Sequence, residues 1–176
     1  METSAVIIGG GLGGLFTGAI LSKEGVKVTV IEKNPTVGGG LQSFRRFGET
    51  FDTGMHVIGG MQEGGNIRRI CEYLGIFDKV HVMDVDPDVI DTLYFAEDKK
   101  VYKIAQGKEG FVNALSESFP DQTDNLRAYV DAVYAIVDEL DMFYLRPSQD
   151  FIFVHSEDFM MSADGFIAKY ISDRKL

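Results

Sequence analysis

The sequence predicts an α/β fold, because two runs of strand length flank a helical pattern near the N-terminus. The first apolar run covers residues 5–8, and it stops at the glycines of positions 9, 11 and 14. A helical pattern follows over residues 15–23, and a second run, rich in β-branched residues, covers 26–31. The order strand, glycine turn, helix, strand is that of a βαβ unit.

The glycines between the first strand and the helix each have a mechanical reason. Gly9 permits the tight turn out of the strand, Gly11 lets the backbone approach a pyrophosphate, and Gly14 lets the helix pack closely on the sheet. The helix then begins at the phosphates, where free N–H groups and the helix dipole favour an anion. We therefore predict a dinucleotide site in which Gly9, Gly11, Gly13 and Gly14 surround the pyrophosphate. The alternative, a glycine-rich turn that binds nothing, would leave the later glycines without a purpose.

An acidic residue, Glu32, ends the second strand at the spacing expected for ribose recognition. Its carboxylate can accept hydrogen bonds from the ribose hydroxyls of adenosine. The same charge would repel a 2′-phosphate, so NADP is disfavoured in this site.

Composition and charge describe a globular chain and exclude several classes of partner. The 176 residues are 45% hydrophobic and 25% charged, and the net charge of −10 argues against nucleic acid and against attraction to an anionic membrane surface. The one cysteine, Cys71, allows no internal disulfide. No stretch approaches the ~18 apolar residues that span a bilayer, and the first strand starts too close to Met1 for a signal peptide. We therefore expect a cytoplasmic protein.

We expect no metal site. The aspartates at positions 84, 86, 88 and 91 lack the glycine and the closing glutamate of a calcium loop, and Pro87 interrupts them. His81 and His155 have no companions at the spacing of metal ligands.

The segment after the second strand is predicted to be a loop. In a plain NAD domain another crossover helix usually follows, but here Pro35 and the run Gly38-Gly39-Gly40 disfavour a helix. The loop would bring bare backbone close to a ligand. Residues 41–47 and 49–52 then predict two short strands about a turn, and Thr53-Gly54-Met55-His56 follows.

These residues resemble the N-terminal signature of a family of flavin enzymes. The pattern Glu32-Lys33-Asn34-x-x-x-Gly38-Gly39, followed by Phe51-Asp52-Thr53-Gly54, is similar to that of the phytoene desaturase, carotenoid isomerase and retinol saturase family. The stretch 51–59 looks most like the retinol saturase branch, and residues 107–120 are similar to a later segment of those proteins. The resemblance extends over most of the chain.

The resemblance implies FAD as the cofactor and a hydride step at a carbon–carbon bond of a polyene such as a carotenoid or retinoid. Glu32 would hold the adenosine ribose, the glycine loop would flank the phosphates and the ribityl chain, and residues 54–56 would approach the flavin ring. His56 is the candidate catalytic residue; the alternative is a histidine that satisfies backbone at a strand end. Beyond the first glycine turn, the implied cofactor-binding residues are Glu32, Lys33, Gly38, Gly39, Gly40, Gly54 and Met55.

One departure from the family concerns the position after the glycine pair. Many relatives carry arginine there, whereas this chain has Gly40. Arg45 and Arg46 could compensate, but such a pair is more often a solvated strand face.

The family also predicts the domain organisation, because its members are considerably longer than this chain. We expect a Rossmann-like FAD-binding βαβ unit with an added β-hairpin and helices, as the truncated N-terminal part of a larger two-domain flavoprotein. Residues 1–86 are predicted to be the FAD-binding core, and 87–176 an incomplete mixed α/β segment of the substrate domain. Such a fragment is expected to be inactive alone.

The remaining patterns predict further helices and strands. A helix over 65–74 stops at Gly75, strands cover 89–96 and 101–104, and helices cover 108–118 and 125–144. The chain is expected to end partway through one more helix, whose first turn is weakened by Gly165.

Large apolar residues crowd the chain from Met142 onward. They are either the wall of a site for a long isoprenoid substrate or, as we favour, core that packs on the additional part of the family. We expect the isolated chain to expose apolar surface and to self-associate; peripheral contact with a membrane stays open. The residues concerned are Met142, Phe143, Tyr144, Leu145, Phe151, Ile152, Phe153, Phe159, Met160 and Met161.

Two other functions are left open by the sequence. One is an NAD-binding dehydrogenase or sensor domain, against which the glycine loop stands. The other is a non-catalytic truncated module that only binds a partner.

Overall fold

The computed structural model describes residues 3–147 and 155–176 of the chain. It divides into two compact units, Met1–Val82 and Met83–Leu176. Of the helices in the described residues, none is both long and apolar enough to cross a bilayer. The assignment of the second unit to a substrate domain stays a prediction.

The first unit begins with the predicted βαβ arrangement. Strand β1 (Ser4–Ile8) leads into helix α1 (Leu12–Lys23), and strand β2 (Lys27–Ile31) returns parallel to β1. The helix begins three residues earlier than its hydrophobic pattern indicated, because Gly11 is already its N-cap and the amide of Leu15 donates to the carbonyl oxygen of Gly11 at 2.9 Å. The βαβ prediction is confirmed, and two of its glycines lie inside the helix.

Only one face of the two-stranded sheet is covered by α1. The buried Gly18 of the helix sits over this face, where an added Cβ would lie 3.3 Å from Ile7 and 3.4 Å from Val30. On the opposite face Val6 and Ile8 are 65% and 88% exposed. Parallel sheets are normally covered on both faces, so this face is unusual in an otherwise regular unit.

A β-hairpin and a helix complete the first unit. Strands β3 (Ser43–Arg46) and β4 (Glu49–Asp52) pair antiparallel as the sequence predicts, and the rings of Phe44 and Phe51 stack across them. Phe47 and Gly48 both have positive φ, 55° and 86°, which is the backbone of a two-residue type I′ turn. Helix α2 (Asn66–Leu74) ends at Gly75 in the left-handed conformation, as predicted.

The second unit combines a β-hairpin with helices. Strands β5 (Asp91–Phe95) and β6 (Lys100–Ile104) pair antiparallel in the predicted order. Helices α3 (Gly107–Ser116), α4 (Thr123–Asp138), α5 (Glu157–Met160) and α6 (Ala163–Tyr170) follow. Its apolar core is built around Val112 and Leu126, which are 1% and 2% exposed. The other buried members of this core are Tyr102, Leu115, Val130 and Ile171.

Two predicted helix ends in this unit are wrong. Helix α4 stops at Asp138 instead of residue 144, and the chain continues in turns such as that from Leu140 to Phe143. Acidic residues at the end of a helix are opposed by its dipole, and Asp138 is followed directly by Glu139. Helix α6 ends at Tyr170, and the chain does not finish within a helix, because Ile171 turns to extended backbone and is buried in the core.

The apolar C-terminal set is only partly visible in the structure. Met142 and Met160 are largely exposed, whereas residues 151–153 lie outside the described residues. The choice between substrate wall and core therefore stays a prediction.

Candidate functional site

The first glycine turn depends on a close approach between its ends. A Cβ on Gly14 would lie 2.1 Å from the carbonyl oxygen of Gly9, a separation that no side chain can occupy. Gly9 itself has a φ of 102°, which favours glycine. These two positions therefore fix the path of the chain from β1 into α1.

The next glycines leave open space in front of the helix. A Cβ on Gly13 would meet nothing within 4 Å, and one on Gly11 would meet only the Cα atom of Gly39 at 4.0 Å. No side chain of the described residues caps the amides at the start of α1. The N-terminus of α1 thus presents backbone N–H groups and its positive dipole end beside bare glycine backbone, an arrangement that suits a pyrophosphate.

The carboxylate of Glu32 is held by two backbone amides. Its Oε2 accepts a hydrogen bond from the amide of Gly10 at 2.7 Å, and its Oε1 accepts one from the amide of Asn34 at 2.8 Å. The hydrogen bond from the Asn34 amide has the largest effect and that from the Gly10 amide the second largest, and both lower the pKa of Glu32 from its ordinary value of 4.5. The side chain is therefore an oriented carboxylate at neutral pH.

The second glycine loop is hydrogen-bonded to the first turn. The amide of Gly38 donates to the carbonyl oxygen of Gly10 at 2.7 Å, and Gly38 forms a parallel bridge with Gly11. A Cβ on Gly39 would lie 3.1 Å from the Cα atom of Gly11. Gly38 and Gly39 have φ values of 121° and 58°, so the loop uses conformations that side chains rarely adopt.

The segment after the hairpin joins the same strip of backbone. The amide and the hydroxyl of Thr53 both donate to the carbonyl oxygen of Gln42 at 2.9 Å. The amide of Met55 donates to the carbonyl oxygen of Gly40 at 3.0 Å, and a Cβ on Gly54 would lie 3.4 Å from that oxygen. Residues 53–55 are therefore bonded to the end of the glycine loop.

His56 follows this strip as an exposed side chain. Its Nδ1 lies 3.7 Å from Oδ2 of Asp52, and the imidazole is 74% exposed. This separation is longer than a hydrogen bond, so the two groups form at most an electrostatic pair.

Most of the sequence-predicted residues form one continuous strip in the first unit. Lys33 is exposed beside it. The two arginines of the hairpin make contacts within the hairpin, because Nε of Arg45 lies 3.4 Å from Oγ1 of Thr50 and Arg46 lies over the ring of Phe47. These contacts favour the solvated strand face over a role beside phosphate. The sequence-predicted residues in the strip are Gly9, Gly11, Gly13, Gly14, Glu32, Gly38, Gly39, Gly40, Gly54 and Met55.

Two residues of the strip were not singled out from the sequence. Gly10 supplies both the amide that binds Glu32 and the carbonyl that binds Gly38. Thr53 supplies two donors to Gln42. The uninterrupted run Gly9-Gly10-Gly11 was the available signal for the first, since the GxGxxG spacing alone does not require glycine at its second position.

A metal site would require side chains that could bind a metal ion together. Within residues 3–147 and 155–176, no group of three or more His, Cys, Asp or Glu side chains is placed to hold a metal ion.

The chain is similar to several known proteins. The family of NAD(P)-binding Rossmann-like domains matches residues 7–74. The chain is 35% identical to the all-trans-retinol 13,14-reductase of Macaca fascicularis over 137 residues, which are 77% of this chain and 22% of that protein. It is 27% identical to the chloroplastic prolycopene isomerase 1 of an Oncidium hybrid cultivar, over 96% of this chain and 28% of that protein.

A solved structure is also similar, at a greater distance. An oxidoreductase from Methanosarcina mazei is 20% identical over 97% of this chain and 35% of its own, with a TM-score of 0.46. This likeness is too distant to support a function. The chain spans between about a fifth and a third of the length of the curated relatives that it matches.

Proposed function

Because this chain belongs to the family of the retinol reductases and prolycopene isomerases and corresponds to their N-terminal part, we propose that it binds FAD. In this proposal it forms the FAD-binding part of a flavin-dependent oxidoreductase or isomerase. The substrate is an apolar polyene of the carotenoid or retinoid type, and the chain alone is inactive.

The bond from the Gly38 amide to the Gly10 carbonyl carries this proposal. It holds a second stretch of bare backbone against the glycine turn, at the point where a plain NAD domain would enter a helix. Instead of a crossover α-helix, this segment forms only a single 3-10 turn over Gly39–Leu41, and Gly38 and Gly39 both have positive φ. A loop that continues from the pyrophosphate toward residues 54–56 suits a cofactor that extends beyond its phosphates, as FAD does.

Each part of the strip has a role in this proposal. Glu32 accepts hydrogen bonds from the ribose hydroxyls of adenosine. The glycines and the N-terminus of α1 hold the pyrophosphate. Lys33 lies beside the adenosine end, and residues 38–40 line the phosphates and the ribityl chain. Gly54 and Met55 contact the flavin ring.

When bound, FAD would accept a hydride from, or donate one to, a carbon–carbon bond of the substrate. The chain's own contribution near the ring is His56, which we propose as its catalytic residue. Its exposed imidazole, with Nδ1 3.7 Å from Oδ2 of Asp52, can form a hydrogen bond with a flavin edge or with a polar substrate end.

An NAD-binding domain is the second candidate, favoured by the name of the matching domain family, NAD(P)-binding Rossmann-like. The Glu32 carboxylate would still accept the ribose diol of NAD, and it would repel the 2′-phosphate of NADP. The glycine loop between β2 and β3 then has no ligand to contact. A subunit that binds only a partner is the remaining alternative.

The deciding experiment is a titration of the purified chain with FAD, followed by flavin fluorescence, with NADH titrated in a parallel cell. Saturable binding of FAD without binding of NADH is the expected result. Binding of NADH alone would replace the proposal by the NAD candidate. Binding of neither would contradict the proposal that this chain binds FAD.

A further inference from the structure

Glu32 has half of its hydrogen-bonding capacity occupied before any ligand arrives. A carboxylate offers about four lone-pair positions on its two oxygens. The amides of Gly10 and Asn34 take one position on each oxygen, at 2.7 and 2.8 Å. With these two hydrogen bonds in place, each oxygen retains about one acceptor position, which suits two neighbouring hydroxyl groups. The Lys33 amide adds a weaker attraction to the same carboxylate.

The two amides come from different parts of the fold, so they fix the carboxylate in two directions. Asn34 lies two residues after Glu32, whereas Gly10 belongs to the turn after β1, 22 residues earlier. A free glutamate side chain samples several rotamers and loses that freedom when it binds a ligand. A carboxylate that is already clamped avoids most of this loss.

A side chain at residue 10 would also press on the clamp. A Cβ on Gly10 would lie 2.9 Å from Cγ1 of Val37, 3.2 Å from Oε2 of Glu32 and 3.3 Å from Cβ of Glu32. Gly10 is buried and is not among the residues with positive φ, so the restriction comes from these contacts and not from its backbone conformation. Gly9 and Gly13, by contrast, would meet nothing within 4 Å.

We propose that Gly10 is a positioning residue for nucleotide recognition, whose amide and missing side chain hold the Glu32 carboxylate where it receives the 2′,3′-diol of a ribose. This inference rests on the proposed function, because it assumes that a nucleotide binds at this strip. It goes further in naming which chemical group of the nucleotide Gly10 controls. An alanine at position 10 keeps the backbone carbonyl that binds Gly38, so we expect the pyrophosphate contacts to persist.

The test compares two nucleotides that differ only in the diol, ADP and 2′,3′-dideoxy-ADP, by calorimetric titration of the purified chain. Wild type is expected to bind ADP more tightly. Gly10→Ala is expected to weaken ADP binding about tenfold, near the lower limit for a hydrogen bond to a charged group, and to leave dideoxy-ADP binding unchanged. Gly59→Ala is the matched control, since its Cβ would meet nothing within 4 Å and it lies outside the strip.

Two further variants test whether Gly10→Ala acts through Glu32 or through its contact with Val37. Glu32→Ala is expected to cause the same diol-specific loss, and adding Gly10→Ala to it is expected to cause no further loss. When Val37→Ala is combined with Gly10→Ala, it removes the contact of the new methyl group with Val37 but not the contacts with Glu32. The double variant is therefore expected to keep most of the loss of ADP affinity. Equal weakening of both nucleotides by Gly10→Ala, or full rescue by Val37→Ala, would overturn the inference and leave the proposed function standing.

A measurement on the unaltered chain covers the case in which Gly10→Ala does not fold. In NMR spectra recorded as the pH is lowered without nucleotide, the amide protons of Gly10 and Asn34 are expected to shift together with the Glu32 carboxyl carbon. Amide protons that stay still while Glu32 titrates would show that no clamp exists. Wild type that binds neither nucleotide would overturn the proposed function, while this titration would still report on the clamp.

Discussion

The amide of Gly38 lies 2.7 Å from the carbonyl oxygen of Gly10, and this bond joins two glycine segments that are distant in the sequence. The neighbouring bridge between Gly11 and Gly38 continues the pairing in parallel orientation. The loop is therefore paired, backbone to backbone, with the glycine turn that follows β1. Any ligand at the α1 N-terminus would face glycine on both sides.

Gly14 and Gly13 offer a matched pair of substitutions on the same helix turn. Gly14→Ala would place a methyl group 2.1 Å from the Gly9 carbonyl oxygen, and we expect it to lower the free energy of unfolding by about 1–3 kcal/mol. Gly13→Ala meets nothing within 4 Å, and we expect it to raise that free energy by about 0.5–1 kcal/mol through helix propensity. Urea unfolding followed by circular dichroism measures both; equal effects would contradict the packing role of Gly14.

Gly11→Val tests where the pyrophosphate lies. A Cβ at this position would meet only the Cα atom of Gly39, at 4.0 Å. The branched side chain is expected to fill the space in front of α1 and to abolish measurable FAD binding while the chain stays folded. Fluorescence titration gives the affinity and circular dichroism checks the fold. Unchanged affinity would move the cofactor to another surface.

Glu32 gives a prediction for the pH dependence of stability. Its pKa is lower in the folded chain than its ordinary value of 4.5, because the amides of Asn34 and Gly10 stabilise the carboxylate. Its contribution to stability is therefore complete above pH 4.5 and is lost as the pH falls through the lowered folded pKa. Glu32→Gln removes this contribution.

The measurement is urea unfolding of wild type and Glu32→Gln between neutral and acidic pH. Because other carboxylates titrate in the same range, the informative quantity is the difference between the two proteins. We expect wild type to be more stable at neutral pH and the difference to shrink on acidification. A constant difference would mean that the carboxylate is not clamped in solution.

The uncovered face of the β1–β2 sheet predicts self-association. Val6 and Ile8 project from this face, and an exposed apolar sheet face invites a partner. Light scattering at rising concentration is expected to show oligomers for wild type and fewer for Ile8→Thr, which keeps a β-branched side chain. Met83→Thr is the control, because Met83 is also largely exposed but lies in the other unit. A wild-type chain that remains monomeric at high concentration would contradict this prediction.

The sequence was sufficient for those elements whose signal is local. The run from β1 to β2, the hairpin turn at Gly48 and the stop at Gly75 each depend on neighbouring residues, so their periodicity and glycines predict them. The end of α6 depends instead on Ile171, which leaves the helix to enter the core of its unit. Burial that involves residues far apart in the sequence is not visible in a local pattern.

The same distinction applies to the candidate site. The spacing from Gly9 predicts that Glu32 lies beside the glycine turn, and the structure places it there. It does not reveal that both carboxylate oxygens already accept backbone amides, because this depends on the distance of Gly10 in three dimensions. The bond between Gly38 and Gly10 was hidden for the same reason.

The tip of the β3–β4 hairpin contains a side chain that the turn itself does not favour. Phe47 has a φ of 55°, a conformation that is uncommon for a bulky residue, and asparagine would be the usual choice before Gly48. A left-handed residue of this kind costs roughly 1–2 kcal/mol. We therefore expect the hairpin to be less stable with phenylalanine at position 47 than it would be with asparagine there.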